Sequence, residues 1–294
     1  MNELAARILE IAIRGVLVGG IYALIALGLN IQYGVGRVFN IAHGEFLMVG
    51  AMLTSMMFAS QANIDPLASL AITGPFMFII GFILYRTLFA SLRRRAPTPA
   101  AFEANSLLAA FALIYIFQNA AILIFGGRGG RTYDYLSFPQ KFAGITIPTN
   151  MLVAFAVAVV ICVVFYFFVT RSRLGKAIRA AAIDPATAGL MGVNVKLVLA
   201  LCFGLGALLA GFAGTLISMF TSHSEVMGLT YAIAAIVVMV VGGLGSIPGS
   251  FIGGIAIGIV SGIVATYQSA LVVPAYYAIF LIILLARPQG LLRK

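Results

Sequence analysis

Charge is what this sequence has least of. Asp, Glu, Lys and Arg make up 9% of its 294 residues, against about 25% in a soluble globular domain. With 62% hydrophobic residues and a mean hydropathy of +1.11, that shortage excludes a soluble domain and places the chain in a membrane. Cysteine is scarce as well. Cys162 and Cys202 are the only two, forty residues apart and each inside an apolar run. They read as small buried hydrophobes, not as a disulfide or a metal pair. The only histidines are His43 and His223, so no nucleophile–base pair has usable spacing. No Walker A motif is present, because Gly175-Lys176 lacks the upstream glycine and the following hydroxyl residue. No catalytic residue, metal or cofactor is expected. Met1–Arg14 carries four charges and no apolar core, so nothing there resembles a cleavable signal peptide and the first span is expected to act as its own signal. The longest polar interlude, Gly126–Pro148, is only loop-sized.

What the chain does have is glycine, 32 of them, as close helix packing in lipid demands. It also has a formal net charge of +10. The basic residues cluster in loops beside apolar runs, where they hold a loop on the cytoplasmic side; they are not a nucleic-acid footprint. About eight or nine crossings or re-entrant segments are expected, given the ~20 residues a spanning helix needs. The fold class is therefore an all-α polytopic membrane protein, with residues 1–294 as one transmembrane domain.

In chain order, Met1–Arg14 reads as a helix lying at the interface and Gly15–Ile31 as the first span, interrupted by Tyr33-Gly34-Val35-Gly36. Val38–Ala59 is apolar but holds Asn40, His43, Gly44 and Glu45 in its first third. Leu67–Tyr85, Ser106–Phe125, Pro148–Arg171, Leu197–Ile217, Phe251–Thr266 and Val272–Ala286 read as further spans. Leu229–Val241 is short and runs into Gly242-Gly-Leu-Gly-Ser-Ile-Pro-Gly249, which fits a broken or re-entrant element. The triplet Arg93-Arg94-Arg95, the stretch Arg171–Lys196 and the C-terminal Arg287, Arg293 and Lys294 are expected on the cytoplasmic side. The N-terminus is outside if Asn40–Ala59 crosses fully and inside if it is re-entrant. Gly15-Val-Leu-Val-Gly-Gly-Ile21 and Gly249-Ser-Phe-Ile-Gly-Gly-Ile255 share a frame, which suits the weak symmetry of transporter halves but also arises by chance in so glycine-rich a chain.

Arg171–Lys196 carries its own punctuation. Asp184 can cap a short helix, Pro185 suits its first position and Gly192 can end it. Two short helices on a basic loop form either a docking surface for a soluble partner or a solvated connector. Asn40-Ile-Ala-His-Gly-Glu45 is the most informative polar cluster. An ionisable residue at membrane depth faces a cavity or a partner. His43 and Glu45 can hold a metal, relay protons or gate a solute path; structurally, Asn40 can cap a helix. Gln118-Asn119 can bond a polar solute or another helix. Gly242, Gly243 and Gly245 can offer free backbone groups to a solute or form a packing corner.

With these stretches in hand, the chain resembles the LivH-type permeases of branched-chain amino-acid ABC importers over nearly its whole length. The carriers are Gly20-Ile-Tyr-Ala-Leu-Ile-Ala-Leu-Gly28, Tyr33-Gly34, Asn40–Glu45, Phe117-Gln-Asn119, Ser172–Arg179 with Gly192-Val-Asn194, and Gly242–Gly249. The resemblance implies a permease subunit in the bacterial inner membrane. It would be paired with a second, LivM-like permease, with two ABC ATPase subunits and with a periplasmic solute-binding protein; hydrolysis of ATP belongs to the partners. It places the ATPase-coupling loop at 171–196, with Gly175, Arg179, Asp184, Pro185, Gly189 and Gly192 as its residues. It leaves Asn40, His43, Glu45, Gln118, Asn119, Gly242, Gly243 and Gly245 for the translocation path or its gate. The loop here reads Ala-Ala-Ala-Ile-Asp184 where relatives often have Glu before Asp. Similar permeases also carry urea and short amides. The alternative is a proton-coupled secondary transporter that uses His43 and Glu45 and works without an ATPase; a purely structural subunit leaves the polar residues at depth unexplained.

Overall fold

The computed structural model describes residues 3–127, 130–142 and 145–286. The expected basic C-terminus, Arg287 to Lys294, lies outside the described residues, as does Arg128. Among the described residues, six helices are long and apolar enough to cross a membrane: Arg7–Gly36, Pro66–Arg95, Pro99–Gly126, Thr149–Arg171, Val195–Ser218 and Ile247–Tyr267. Shorter apolar helices, Gly228–Gly242 and Ser269–Ile283, join them, together with the 17-residue His43–Ala59. The eight or nine expected segments thus resolve into six long helices and three short ones.

The first helix, α1 (Glu3–Gly36), is continuous. The expected interface helix, first span and glycine interruption are one rod, because Gly34 and Gly36 leave the backbone ladder intact. The real break is at residues 37–42, before α2 (His43–Ala59). Arg37 takes the left-handed φ of 51° that ends the helix, a position where a non-glycine residue costs about 1–2 kcal/mol. Asp65 then accepts from Leu67 N, and Pro66 opens α3 (Pro66–Leu84). A π-turn at Tyr85–Phe89 leads into α4 (Ala90–Arg95), which ends on the arginine triplet. Thr98 caps α5 (Pro99–Ala121). The all-α expectation gains one small addition in the long loop, the antiparallel pair β1 (Pro139–Phe142) and β2 (Ile145–Pro148). After α6 (Thr149–Arg171) come α7 (Arg173–Ile183), α8 (Pro185–Leu190), α9 (Val195–Ser218), α10 (Gly228–Gly242), α11 (Ile247–Tyr267) and α12 (Val272–Ala286).

With lipid outside and no hydrophobic gain between helices, small residues decide who packs on whom. α1 and α11 run antiparallel in close contact: a Cβ at Gly15 would lie 2.6 Å from Ile259 Cα, one at Gly19 2.7 Å from Ile255 Cα, and one at Gly254 2.5 Å from Ala23 N. The two segments that share a sequence frame are therefore on helices that pack together. α9 is the most buried long helix. Its Gly206 sits against Gly28 of α1 and its Gly214 against Leu47 of α2.

The ends of the bundle are identifiable. Arg14 Nη2 donates to Thr146 O (3.1 Å) and the Tyr135 hydroxyl to Asp65 (3.0 and 3.1 Å), so the N-terminal part of α1, the α2–α3 turn and the long loop share one end. Arg93 Nη1 donates to Gly36 O (3.3 Å) at the other, where the basic loop also lies. By the distribution of Arg and Lys the second end is cytoplasmic.

Candidate functional site

The helix break delivers a set of polar side chains to the middle of the bundle. Residues 37–42 turn back along α1, and α2 begins beside its centre. His43 Nε2 lies 3.1 Å from Ile25 O, about midway between Arg14 and Arg37. A carbonyl only accepts, so Nε2 carries the proton; Nδ1 has no partner among the described residues. Asn40 Nδ2 donates to Gln32 Oε1 (3.2 Å), and Gln32 Nε2 donates to Phe203 O (3.1 Å). Asn40 therefore does not cap α2, as its structural reading had it: the cap position is Ala42, which makes no side-chain bond.

Glu45 stands in the first turn of α2 and is fully buried. Gln118 Nε2 donates to its Oε1 (3.1 Å), while Oε2 has no partner among the described residues. Its carboxyl lies over Gly228, the first residue of α10; a Cβ there would be 2.5 Å from Glu45 Cδ. Gly44 packs against the same residue's carbonyl. α10 is approached through 219–227, an irregular segment on the outer side that pairs with Arg131 through His223 (2.8 and 3.0 Å). Two helices thus start at mid-depth with their N-termini together. At 1.5 Å per residue α2 is about 25 Å long and α10 about 22 Å, each shorter than the ~30 Å hydrocarbon core.

The amide pair splits. Gln118 reaches Glu45, but Asn119 turns to its own helix, donating to Tyr115 O (2.8 Å) on the exposed side. The glycine stretch is a packing corner: Gly242 abuts Gly249, Gly243 and Gly245 have φ of 95° and 82°, and the Gly245 N–H is already taken by Asn30 Oδ1 (2.8 Å). Asn30 Nδ2 also donates to Ser250 Oγ (2.5 Å). Sequence reasoning missed Asn30, Gln32 and Gly228. The signal for the first two was present, as two amides two residues apart in an apolar run.

At the cytoplasmic end the Asp184, Pro185 and Gly192 punctuation of 171–196 is as read, and the structure adds a cap at Ser172. Ser172 caps α7, Asp184 accepts from Ala186 N (2.9 Å) and Thr187 N (3.2 Å), Pro185 opens α8, and Gly192 closes it with φ of 87°. Hydrogen bonds from the Thr187 side chain and from the Thr187 and Ala186 backbone hold the Asp184 carboxyl below its ordinary range. Gly175 lets α7 lie against the Val169 carbonyl, and Arg179 Nη2 donates to Thr170 O (3.0 Å), tying α7 to α6. Gly189 has open space around it. Ile183, Leu190 and Met191 are 87%, 88% and 81% exposed, an apolar set that sequence reading passed over. Among the described residues no three His, Cys, Asp or Glu side chains group as a metal site.

The long apolar helices, with α2 and α10 starting together in the bundle interior, define a multi-pass membrane protein. The chain belongs to the family described as branched-chain amino acid transport system permease component, which matches residues 11–286. It is 30% identical over 312 aligned positions to the high-affinity branched-chain amino acid transport system permease protein LivH of Salmonella typhimurium strain LT2, covering 100% of this chain and 98% of that protein. The Escherichia coli K12 LivH gives the same figures. BraD of Pseudomonas aeruginosa PAO1 is 30% identical over 310 positions, 97% of this chain and 96% of its own length. These relatives are transport permeases, not enzymes.

Proposed function

We propose that this chain is the permease subunit of an ATP-driven importer in the bacterial inner membrane. It carries branched-chain amino acids or related small polar solutes, as its relatives' names indicate. Residues 1–294 act as one permease domain beside a second, LivM-like permease. Two ABC ATPases engage the loop 171–196, and a periplasmic solute-binding protein delivers the solute. Asn40, His43, Glu45 and Gln118 serve the path or its gate. Asn119, Gly242, Gly243 and Gly245 support it from the outer face of α5 and from the corner.

The observation that carries this reading is the exposed apolar trio Ile183, Leu190 and Met191 on a loop rigidly joined to two spans. Single exposed apolar residues are ordinary, but three on adjoining short helices, framed by Arg171, Arg173, Lys176, Arg179 and Lys196, fit a partner groove. Arg179 holds α7 to α6 and Asp184 caps α8, so a partner that grips α8 moves the attached spans as rigid bodies.

Mild-detergent purification from native membranes tests it. Two ATPases and a second permease should accompany the chain. Leu190→Asp with Met191→Asp should cut ATPase recovery at least about tenfold, since each buried apolar side chain contributes about 1.5–3 kcal/mol, while the melting curve stays unchanged. A chain that purifies alone and moves solute on a proton gradient would establish the secondary transporter instead.

A further inference from the structure

The buried carboxylate at mid-depth has half its hydrogen-bonding capacity unused. Glu45 is fully buried; Gln118 serves Oε1, and Oε2 has no donor among the described residues. A carboxylate oxygen desolvated without a donor is costly, so such a group persists where a donor arrives from elsewhere. Beside it α10 begins. Its cap residue, Met227, makes no side-chain cap, and first-turn N–H groups have no partner inside a helix. That turn is open on one side, with Leu229 and Thr230 exposed. One spot therefore sets an unpartnered carboxyl oxygen next to first-turn backbone donors at the positive end of a 15-residue helix.

We propose that this juxtaposition is a cradle for a zwitterion: Glu45 Oε2 accepts from the ammonium group of an α-amino acid in transit, and the first-turn N–H groups of α10 receive its carboxylate. The proposal rests on the permease reading above and adds which end of the solute meets which group. Helix N-termini hold carboxylates readily, and broken helices in transporters aim their N-termini at anionic solute groups. Gly228 makes the cradle possible, because any side chain there would drive the carboxyl away from the turn. Orientation follows from charge: Glu45 attracts the solute ammonium, and the first-turn N–H groups of α10 attract its carboxylate. A hydroxy acid supplies no cation for Glu45, and an amine supplies no anion for the helix. In this structure Gln118 covers only Oε1 of Glu45, from α5, the most exposed of the six long helices.

The test uses the assembled permease–ATPase complex in lipid nanodiscs, with assembly and melting behaviour recorded first. L-leucine, its α-hydroxy acid analogue and the amine lacking the carboxylate are titrated in turn. Leucine should bind the wild-type complex at least about tenfold tighter than either analogue, the scale of one charge-assisted hydrogen bond. Glu45→Gln, which keeps the volume, should bring leucine to within about twofold of the hydroxy acid and leave its advantage over the amine intact. Absent or equal binding of the three by the wild-type complex overturns the cradle without any variant, as does an unchanged leucine preference in Glu45→Gln. A complex that will not form with ATPases refutes the permease-subunit reading instead.

Discussion

Asn30 shows how one side chain can hold two distant segments in register. Its oxygen accepts from Gly245 N and its amide donates to Ser250 Oγ, pinning the α10–α11 corner to α1 across more than 200 residues of sequence. Replacing it by Leu strands a backbone N–H and leaves the Ser250 hydroxyl only its own helix, a cost of about 2 kcal/mol. Asn30→Leu should therefore lower the melting temperature of the detergent-solubilised protein by several degrees; an unchanged transition would show that water serves those groups equally well. The same residue-level logic divides the two amides of α5. Gln118 reaches inward to a carboxylate, whereas Asn119, one hundred degrees further round, satisfies itself on its own helix.

Elements pair here through missing side chains. The α1–α11 contact places Gly258 against the Gly15 carbonyl and the Gly19 backbone, while a Cβ at Gly262, one turn on, would be 3.1 Å from Ile11 O. The first leaves no room for a methyl group; the second needs a shift of a few tenths of an ångström. Gly258→Ala should destabilise the protein by about 1–3 kcal/mol, the range for overpacking, and Gly262→Ala by clearly less. Equal melting temperatures for the two variants would show that the helices separate freely. α7 and α8 work in the opposite way. Ser172, Asp184 and Asn194 fix their ends, Ile178, Ala181 and Ala188 are buried against the bundle, and Ile183, Leu190 and Met191 are left exposed.

For the whole molecule, the two irregular segments are the defining feature. Residues 37–42 enter from the cytoplasmic end and 219–227 from the outer end, and the helices that follow start together at Glu45 and Gly228. Non-helical backbone at this depth is tolerated only where it is buried in protein or lines a cavity; Val38, Asn40 and Ala42 of the first segment and Met219, His223, Glu225 and Met227 of the second are buried, while Arg37, Ser222 and Val226 are exposed. The Arg14–Thr146 bond further sets the N-terminal end of α1 on the outer side with the long loop. Cysteines introduced at Arg7 and Thr146 should react with a membrane-impermeant maleimide applied outside intact cells, and one at Lys176 should not. Labelling at Lys176 with protection at Arg7 would invert the whole arrangement.

The membrane class, most of the spans, the Asp184, Pro185 and Gly192 punctuation of 171–196 and the polar character of Asn40–Glu45 are legible in the one-dimensional string. They rest on composition, on run length and on local signals such as Asp184-Pro185 and Gly192, which act within a few residues. The continuity of α1 through Tyr33–Gly36 was not legible, because glycines weaken a helix without dictating that it stop, and the neighbours of Gly34 and Gly36, Gly245 and Leu199, lie far along the chain. Nor was the division between Gln118 and Asn119, which depends on the rotation of α5 about its axis. The meeting of Glu45 with Gly228, nearly two hundred residues apart, belongs to the tertiary structure alone. Nothing local in either segment encodes the other; only the shared packing of α2 and α10 brings the carboxylate to the open turn of a second helix.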